Sequence, residues 1–140
     1  MSIAEVERPH FLLVFRETQP ETYAAMSADE RRAALRTWNG WLDGLVEQGR
    51  LLSGNTLAPA GRVVSGTGGR VTDGPFAEAR ETIGGYLLLV ADDLDDATRI
   101  ARQAPNVAYG MEVEVRPVAA ACHLARSLGM TTMREEPASA

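Results

Sequence analysis

The segment Met111–Val118 constrains the fold more than any other stretch of the chain, because its side chains alternate between two kinds. In an extended strand, successive side chains point to opposite faces of the sheet. The two sets are Met111, Val113 and Val115 on one side, and Glu112, Glu114 and Arg116 on the other. The aliphatic set needs a covering layer and the charged set needs water or polar partners. The alternation therefore predicts an antiparallel sheet that helices cover on one face only.

Capping and termination signals predict the other regular elements. The aromatic and aliphatic segment His10–Glu17 has the length and composition of a strand. Ser27–Gly49 opens with a capping box, carries an apolar stripe at helical spacing and ends at a glycine, so it predicts a helix. Tyr86–Ala91 is apolar throughout and predicts a buried strand. Asp92 and Asp93 then cap a second helix, which Pro105 ends.

The middle of the chain is less regular. Leu51–Pro59 fits a loop or an irregular strand. Arg62–Ser65 and Arg70–Thr72 flank a glycine-rich run and predict a short hairpin. Asp73–Pro75 follows directly, and Asp-Gly-Pro predicts a break in regular structure.

The order of these elements is close to βαββαβ. It predicts a ferredoxin-like α+β fold, in which two helices cover one face of an antiparallel sheet. The uncovered face predicts a homodimer whose two sheets pack around a cavity. We expect a domain over residues 10–118, between an N-terminal arm at 1–9 and a C-terminal extension at 119–140.

Composition excludes several functional classes. The chain of 140 residues has a formal net charge of −5 and no basic patch, which argues against nucleic-acid binding. The longest apolar run, Tyr86–Ala91, is too short to span a membrane. Residues 1–8 lack the pattern of a signal peptide, and Cys122 has no partner for an internal disulfide, so we expect a cytoplasmic protein. Histidine and cysteine are too few and too dispersed for a metal site, and we expect no cofactor.

The segment Val71–Glu78 reads Val-Thr-Asp-Gly-Pro-Phe-Ala-Glu and resembles the signature of the YCII-related (DGPF-motif) family. Neighbouring features agree in order: Gly84-Gly85-Tyr86, the acidic start of the second helix, and Val113–Pro117. The resemblance extends over about Phe11–Val118. It implies a dimeric α+β barrel with a pocket in each subunit or at the dimer interface.

The same resemblance implies two kinds of activity. Some small members resemble acid–base enzymes, including a dehydrochlorinase of chlorinated hydroxyquinols, and carry a His near the first helix and an Asp after the second. Ser27–Gly49 contains no His here, and Ala104 precedes Pro105, so that pair does not carry over. Other members resemble reading frames beside extracytoplasmic-function sigma factors, which suggests a regulatory context.

Three charged residues in or beside the motif are candidates for a site. Asp73 could act as a general base or could close an Asx turn through its side chain. Glu78 and Arg80 could orient a polar ligand or form surface ion pairs of little energetic value. Both interpretations remain open for each.

The charged face of Met111–Val118 provides the second group. Glu112, Glu114 and Arg116 could bind a ligand in an interior cavity, with Glu114 as an acid–base group, or could form a structural ion-pair network. Arg16 and Tyr86 are expected to share this face.

Two functional hypotheses follow. In the first, the protein is a homodimer that binds a small molecule or a partner, in a regulatory context. In the second, it is a cofactor-independent isomerase or lyase that uses carboxylates such as Asp73 and Glu114 on a small polar or aromatic substrate. The second requires a cavity beside Glu114, whereas the first is compatible with Glu114 paired to arginine.

Overall fold

Strands and helices follow one another along the chain, and the longest described helix has 20 residues. The computed structural model describes residues 9–19, 21–74 and 82–134. In chain order the elements are β1 (His10–Glu17), α1 (Glu21–Ala24), α2 (Ala28–Glu47), β2 (Leu51–Thr56), β3 (Gly61–Ser65), β4 (Arg70–Gly74), β5 (Thr82–Val90), α3 (Leu94–Arg102), a 3₁₀ turn (Pro105–Tyr109), β6 (Glu112–Pro117) and α4 (His123–Ser127).

The main sheet has four antiparallel strands in the order β2-β5-β1-β6. Strands β3 and β4 pair with each other in a separate two-stranded sheet. With that hairpin set aside, the chain runs βαββαβ with the first strand in the centre. The ferredoxin-like α+β class is therefore confirmed.

Helix boundaries agree with the capping signals in the sequence. The Ser27 hydroxyl accepts the backbone N–H of Glu30, and the Glu30 carboxylate accepts that of Ser27, which completes the capping box of α2. Gly49 ends that helix with φ of 69°, in the left-handed region where glycine is favoured. Asp93 caps α3 by accepting the backbone N–H of Asp96.

The hydrophobic core lies between α3 and the middle of the sheet. Phe11, Leu13 and Phe15 of β1 are buried on the face that the helices cover. From α3, Ala97, Ile100 and Ala101 pack against them, and the two alanines allow this helix to approach the sheet closely. Met111, Val113 and Val115 complete the same layer, as the alternation of β6 predicts.

The Asp73–Pro75 prediction needs a correction. Asp73 and Gly74 belong to β4, where they pair with Arg62 and Gly61. Gly74 is buried against Val63, and a Cβ added at Gly74 would lie 2.6 Å from Cγ2 of that valine. The glycine thus lets the hairpin continue two residues further than the turn signal predicts. Residues 75–81, which include the Pro and Phe of the motif, lie outside the described residues.

The opposite face of the main sheet is covered by neither α2 nor α3. Its centre consists of half-buried apolar side chains, namely Leu12, Val14, Tyr86 and Leu88, which pair across β1 and β5. Charged residues of β6 border it on one side. We call this surface the open sheet face. The apolar run Tyr86–Ala91 predicts a wholly buried strand, and four of its side chains are buried: Leu87, Leu89, Val90 and Ala91. Tyr86 and Leu88 are only half-buried.

Candidate functional site

A cavity of about 840 Å³ lies between α2 and the main sheet. Its volume falls within the range of small-molecule pockets, roughly 300–1,000 Å³. Residues of β1, α1, α2, β2, β5 and the 3₁₀ turn line it: Phe15, Glu17, Tyr23, Arg31, Ala34, Leu35, Trp38, Leu42, Val46, Leu51–Thr56, Gly84–Leu87, Pro105, Asn106, Tyr109 and Met111. The cavity is thus mainly apolar, with a few polar groups.

The cavity exists because α2 stands away from the sheet. The apolar stripe of α2 faces the sheet, yet Leu45 is the buried residue of that helix, and Leu35 and Val46 remain 59% and 58% exposed. The opposing strands carry glycines, Gly54 in β2 and Gly85 in β5, where larger side chains would fill the space. An apolar stripe over a glycine floor therefore leaves a gap that a ligand can occupy.

Close backbone contacts require both floor glycines. A Cβ on Gly54 would lie 2.5 Å from Cδ2 of Leu87 and 2.9 Å from the carbonyl oxygen of Tyr86. A Cβ on Gly85 would lie 2.8 Å from the carbonyl oxygen of Asn55. The pairing of β2 with β5 therefore requires glycine at both positions, and these glycines leave the floor of the cavity open.

Aromatic rings form one wall. The rings of Phe15 and Trp38 meet edge to face, with centroids 5.3 Å apart and an interplanar angle of 83°. Trp38 also contacts Trp41, with centroids 5.3 Å apart. Edge-to-face contacts are favourable beyond the area they bury and hold the rings in place. Trp38 thus serves both as predicted core packing and as a wall for a flat apolar ligand.

The 3₁₀ turn supplies the opposite wall. Asn106 is buried, its side-chain N–H group donates to Sδ of Met111 at 2.8 Å, and its side-chain oxygen accepts no hydrogen bond within the described residues. Thr18 donates its hydroxyl to the carbonyl oxygen of Gly110 at 2.8 Å. These contacts tie the turn to β1 and β6 and position Tyr109 at the cavity.

The predicted charged group of β6 lies on the open sheet face. Nη2 of Arg16 lies 2.6 Å from Oε1 of Glu114, and Nη1 of Arg116 lies 3.6 Å from Oε2 of the same carboxylate. Glu112 is exposed and pairs in register with Arg16. Tyr86 shares this face, and its hydroxyl accepts a hydrogen bond from Asn55. The structure therefore brings Arg16, Glu114 and Arg116 together as an ion-pair network.

The candidates from the motif are elsewhere. Asp73 is exposed on the β3–β4 hairpin and does not line the cavity. Glu78 and Arg80 lie outside the described residues. Of the predicted site residues, Tyr86 alone is in the described lining of the cavity, although its side chain lies on the open sheet face.

Glu114 therefore does not meet the requirement for the acid–base hypothesis. Its two carboxylate oxygens face two guanidinium groups, and the cavity lies across the sheet from it. A general base needs an accessible lone pair close to its substrate.

Sequence reasoning did not anticipate the residues that matter most for the cavity, Glu17, Tyr23 and Tyr109. Glu17 ends a strand, and the tyrosines lie in helical segments of four and five residues, which are too short to show a periodic pattern. One signal was present. The sequence places Gly54 and Gly84-Gly85 in segments of strand composition, in a chain that also has a helix with an apolar stripe. Glycines inside strands mark positions where a ligand or another part of the backbone comes close to the strand.

The described residues offer neither a cluster of metal ligands nor a membrane-spanning helix. Within residues 9–19, 21–74 and 82–134, no three His, Cys, Asp or Glu side chains cluster closely enough to hold a metal ion. None of the helices described is both long and apolar enough to cross a bilayer.

Fold and cavity together define a ferredoxin-like α+β protein with a ligand-sized pocket between one helix and the sheet. The model of the YCII-related domain matches residues 11–119, which is more than half of the chain. The chain therefore belongs to the YCII-related domain family. No curated protein matches it.

Proposed function

We propose that this protein is a homodimer in which each subunit binds a small, largely apolar molecule between α2 and the main sheet. The cavity carries this proposal, because a volume of about 840 Å³ lined by aromatic rings and a glycine floor suits a drug-sized ligand. The acid–base alternative would have to use a carboxylate other than Glu114, whose two oxygens face arginines.

A pair of alanines on α2 tests the binding site. Ala34 lines the cavity, whereas Ala33, its neighbour, is exposed. The probe is 4-phenylbutan-1-ol, measured by titration calorimetry and by tryptophan fluorescence, since Trp38 forms a wall. We expect one molecule bound per chain with Kd on the order of 0.1–1 mM, a value typical of a probe this small.

Ala34→Phe fills the cavity and is expected to weaken binding at least about tenfold, while Ala33→Phe leaves the affinity unchanged. Both variants place the same side chain on the same helix, so general effects on α2 cancel. Absence of binding to the unmodified protein, or equal binding by both variants, would contradict the proposal.

The open sheet face supports the dimer. Leu12, Val14 and Leu88 lie on the face that α2 and α3 leave uncovered. Its edge carries two arginines and two glutamates, Arg16, Glu112, Glu114 and Arg116. Equal numbers of both signs allow a second copy to meet this face across a twofold axis, with positive groups opposite negative ones.

A charge placed at the centre of this face tests the dimer. We expect light scattering at micromolar concentration to give twice the mass of one chain. Val14→Lys should give the mass of a single chain, because a lysine would be desolvated between two sheets, whereas in a separate subunit it lies opposite Glu114. Val64→Lys makes the same change at an exposed hairpin valine and should remain dimeric. A single-chain mass for the unmodified protein would refute the dimer.

A further inference from the structure

One end of the cavity is formed by a carboxylate and two phenol rings. Glu17 is the last residue of β1, Tyr23 lies in α1 and Tyr109 lies in the 3₁₀ turn. All three line the cavity. The two rings contact each other with centroids 5.7 Å apart and an interplanar angle of 49°. We call these residues the polar end of the cavity.

The Glu17 side chain lies against the backbone of β5. A Cβ added at Gly84 would lie 3.2 Å from Cδ and 3.3 Å from Oε1 of Glu17, so the carboxylate lies directly over that glycine. Glu17 is half-buried and forms no salt bridge within the described residues. Glu114, by contrast, faces two arginines. A carboxylate at the end of an apolar cavity gains most from a cation that binds there.

The tyrosines strengthen the preference for a cation. Burial raises the pKa of the Tyr23 hydroxyl, and repulsion from the negative charges of Glu17 and of an ionised Tyr109 hydroxyl raises that pKa further. Tyr23 is therefore neutral at physiological pH, and Glu17 supplies the negative charge of the polar end. The faces of phenol rings attract cations through their quadrupoles.

The one cationic side chain in the described lining is Arg31, near the start of α2. It is exposed, and it also lines a shallow surface depression with Ala28, Arg32 and Leu35. Water and salt screen an exposed guanidinium, so it attracts a charged ligand less strongly than a half-buried carboxylate does. The more enclosed charge of the cavity is thus negative.

We infer that the polar end binds the protonated amine of a ligand whose apolar or aromatic body lies between Trp38 and the glycine floor. The inference rests on the proposed binding function and adds the chemical class of the ligand, an amphipathic amine. Glu17 supplies the charge, and Tyr23 and Tyr109 supply ring faces.

Three probes with one apolar body and different head groups test this inference. They are 4-phenylbutylamine, 4-phenylbutan-1-ol and 4-phenylbutanoate, each titrated calorimetrically at neutral pH. We expect the amine to bind about tenfold more tightly than the alcohol, a difference typical of one partly desolvated charge contact. The carboxylate should bind more weakly than the alcohol.

Glu17→Gln keeps the shape of the side chain and removes its charge. In this variant the amine should lose its advantage, while the alcohol binds as before and so shows that the cavity is intact. Glu21→Gln removes one charge from an exposed residue of α1 and should keep the full preference for the amine.

Each other outcome has a distinct meaning. Equal binding of amine and alcohol, with no effect of Glu17→Gln, overturns the inference and leaves the binding function standing. Tightest binding of the carboxylate, lost in Arg31→Gln, also overturns it and assigns the recognition to Arg31. Absence of binding by all three probes overturns the binding function itself.

Discussion

Asp96→Ala is expected to lower the free energy of unfolding by about 3 kcal/mol, because it breaks a mostly buried ion pair and leaves Arg50 without its partner. Nη1 of Arg50 lies 2.6 Å from Oδ2 of Asp96, and the two side chains are 16% and 13% exposed. The same oxygen accepts the backbone N–H of Asp92, and Oδ1 lies 2.7 Å from Nη2 of Arg99. Asp96 therefore joins the start of α3 to the segment before β2.

Asp95→Ala is the matched control. Asp95 lies in the same first turn of α3 and has the same relation to the helix dipole, but it is exposed and forms no ion pair with a described residue. We expect it to cost less than about 1 kcal/mol. Urea unfolding of both variants measures the difference, and equal losses would show that the ion pair contributes nothing.

Acid should remove the contribution of Asp96. The hydrogen bond from the Asp92 backbone, followed by that from Arg99, holds the pKa of Asp96 well below its ordinary value of 3.8, and the contact with Arg50 acts in the same direction against the effect of burial. Folding therefore disfavours the protonated form, so the stabilisation is complete above the ordinary pKa and is lost as the pH falls towards the folded-state pKa. The gap in stability between the unmodified protein and Asp96→Ala should narrow from about pH 5 downwards. A constant gap down to about pH 2 would show that the charge of Asp96 is not responsible.

Local patterns predicted most of the fold because their causes are local. The capping box at Ser27, the glycine stop at Gly49 and the alternation of β6 each depend on neighbouring residues, and each is confirmed. Strand β2 was harder to predict, because Gly54 and Asn55 weaken strand propensity and the pairing with β5 shifts register between Leu51 and Ser53.

The site was less predictable because it depends on distances between elements. The sequence of α2 shows an apolar stripe, but no local pattern states that glycines lie opposite it or that the helix stands away from the sheet. The Arg16–Glu114 contact likewise depends on the register of β1 against β6, which places Val14 opposite Glu114 and Arg16 two residues further along the same face. Sequence analysis identified the charged face, and only the tertiary structure showed that its charges neutralise one another.

Leu12 and Leu13 are adjacent in β1 but lie on opposite faces of the sheet, so their variants compare the contributions of the core and of the open sheet face to stability. Leu13 is 0% exposed and pairs with Leu87 and Val115 in the core. Leu12 points to the opposite face, where it pairs with Leu88 and Arg116 and is half-buried.

Leu13→Ala is expected to cost about 3–4 kcal/mol, because it removes a fully buried side chain and leaves a cavity in close-packed surroundings. Leu12→Ala removes the same atoms from a half-buried position and should cost about 1–2 kcal/mol within a separate subunit. Urea unfolding at low protein concentration, where subunits are separate, measures both losses. A loss for Leu13→Ala no larger than that for Leu12→Ala would contradict the assignment of the two faces.

Self-association should respond in the opposite order. Leu12→Ala removes contact area from the face that we propose is covered by a second copy, so it should raise the dimer Kd by at least about tenfold. Leu13→Ala lies behind the sheet and should leave that Kd nearly unchanged while the subunit stays folded. Sedimentation of both variants over a range of concentrations distinguishes the two effects. If Leu12→Ala affects only unfolding and not association, the open sheet face does not carry the dimer, and the half-buried stripe on β1 and β5 must be stabilised within one subunit.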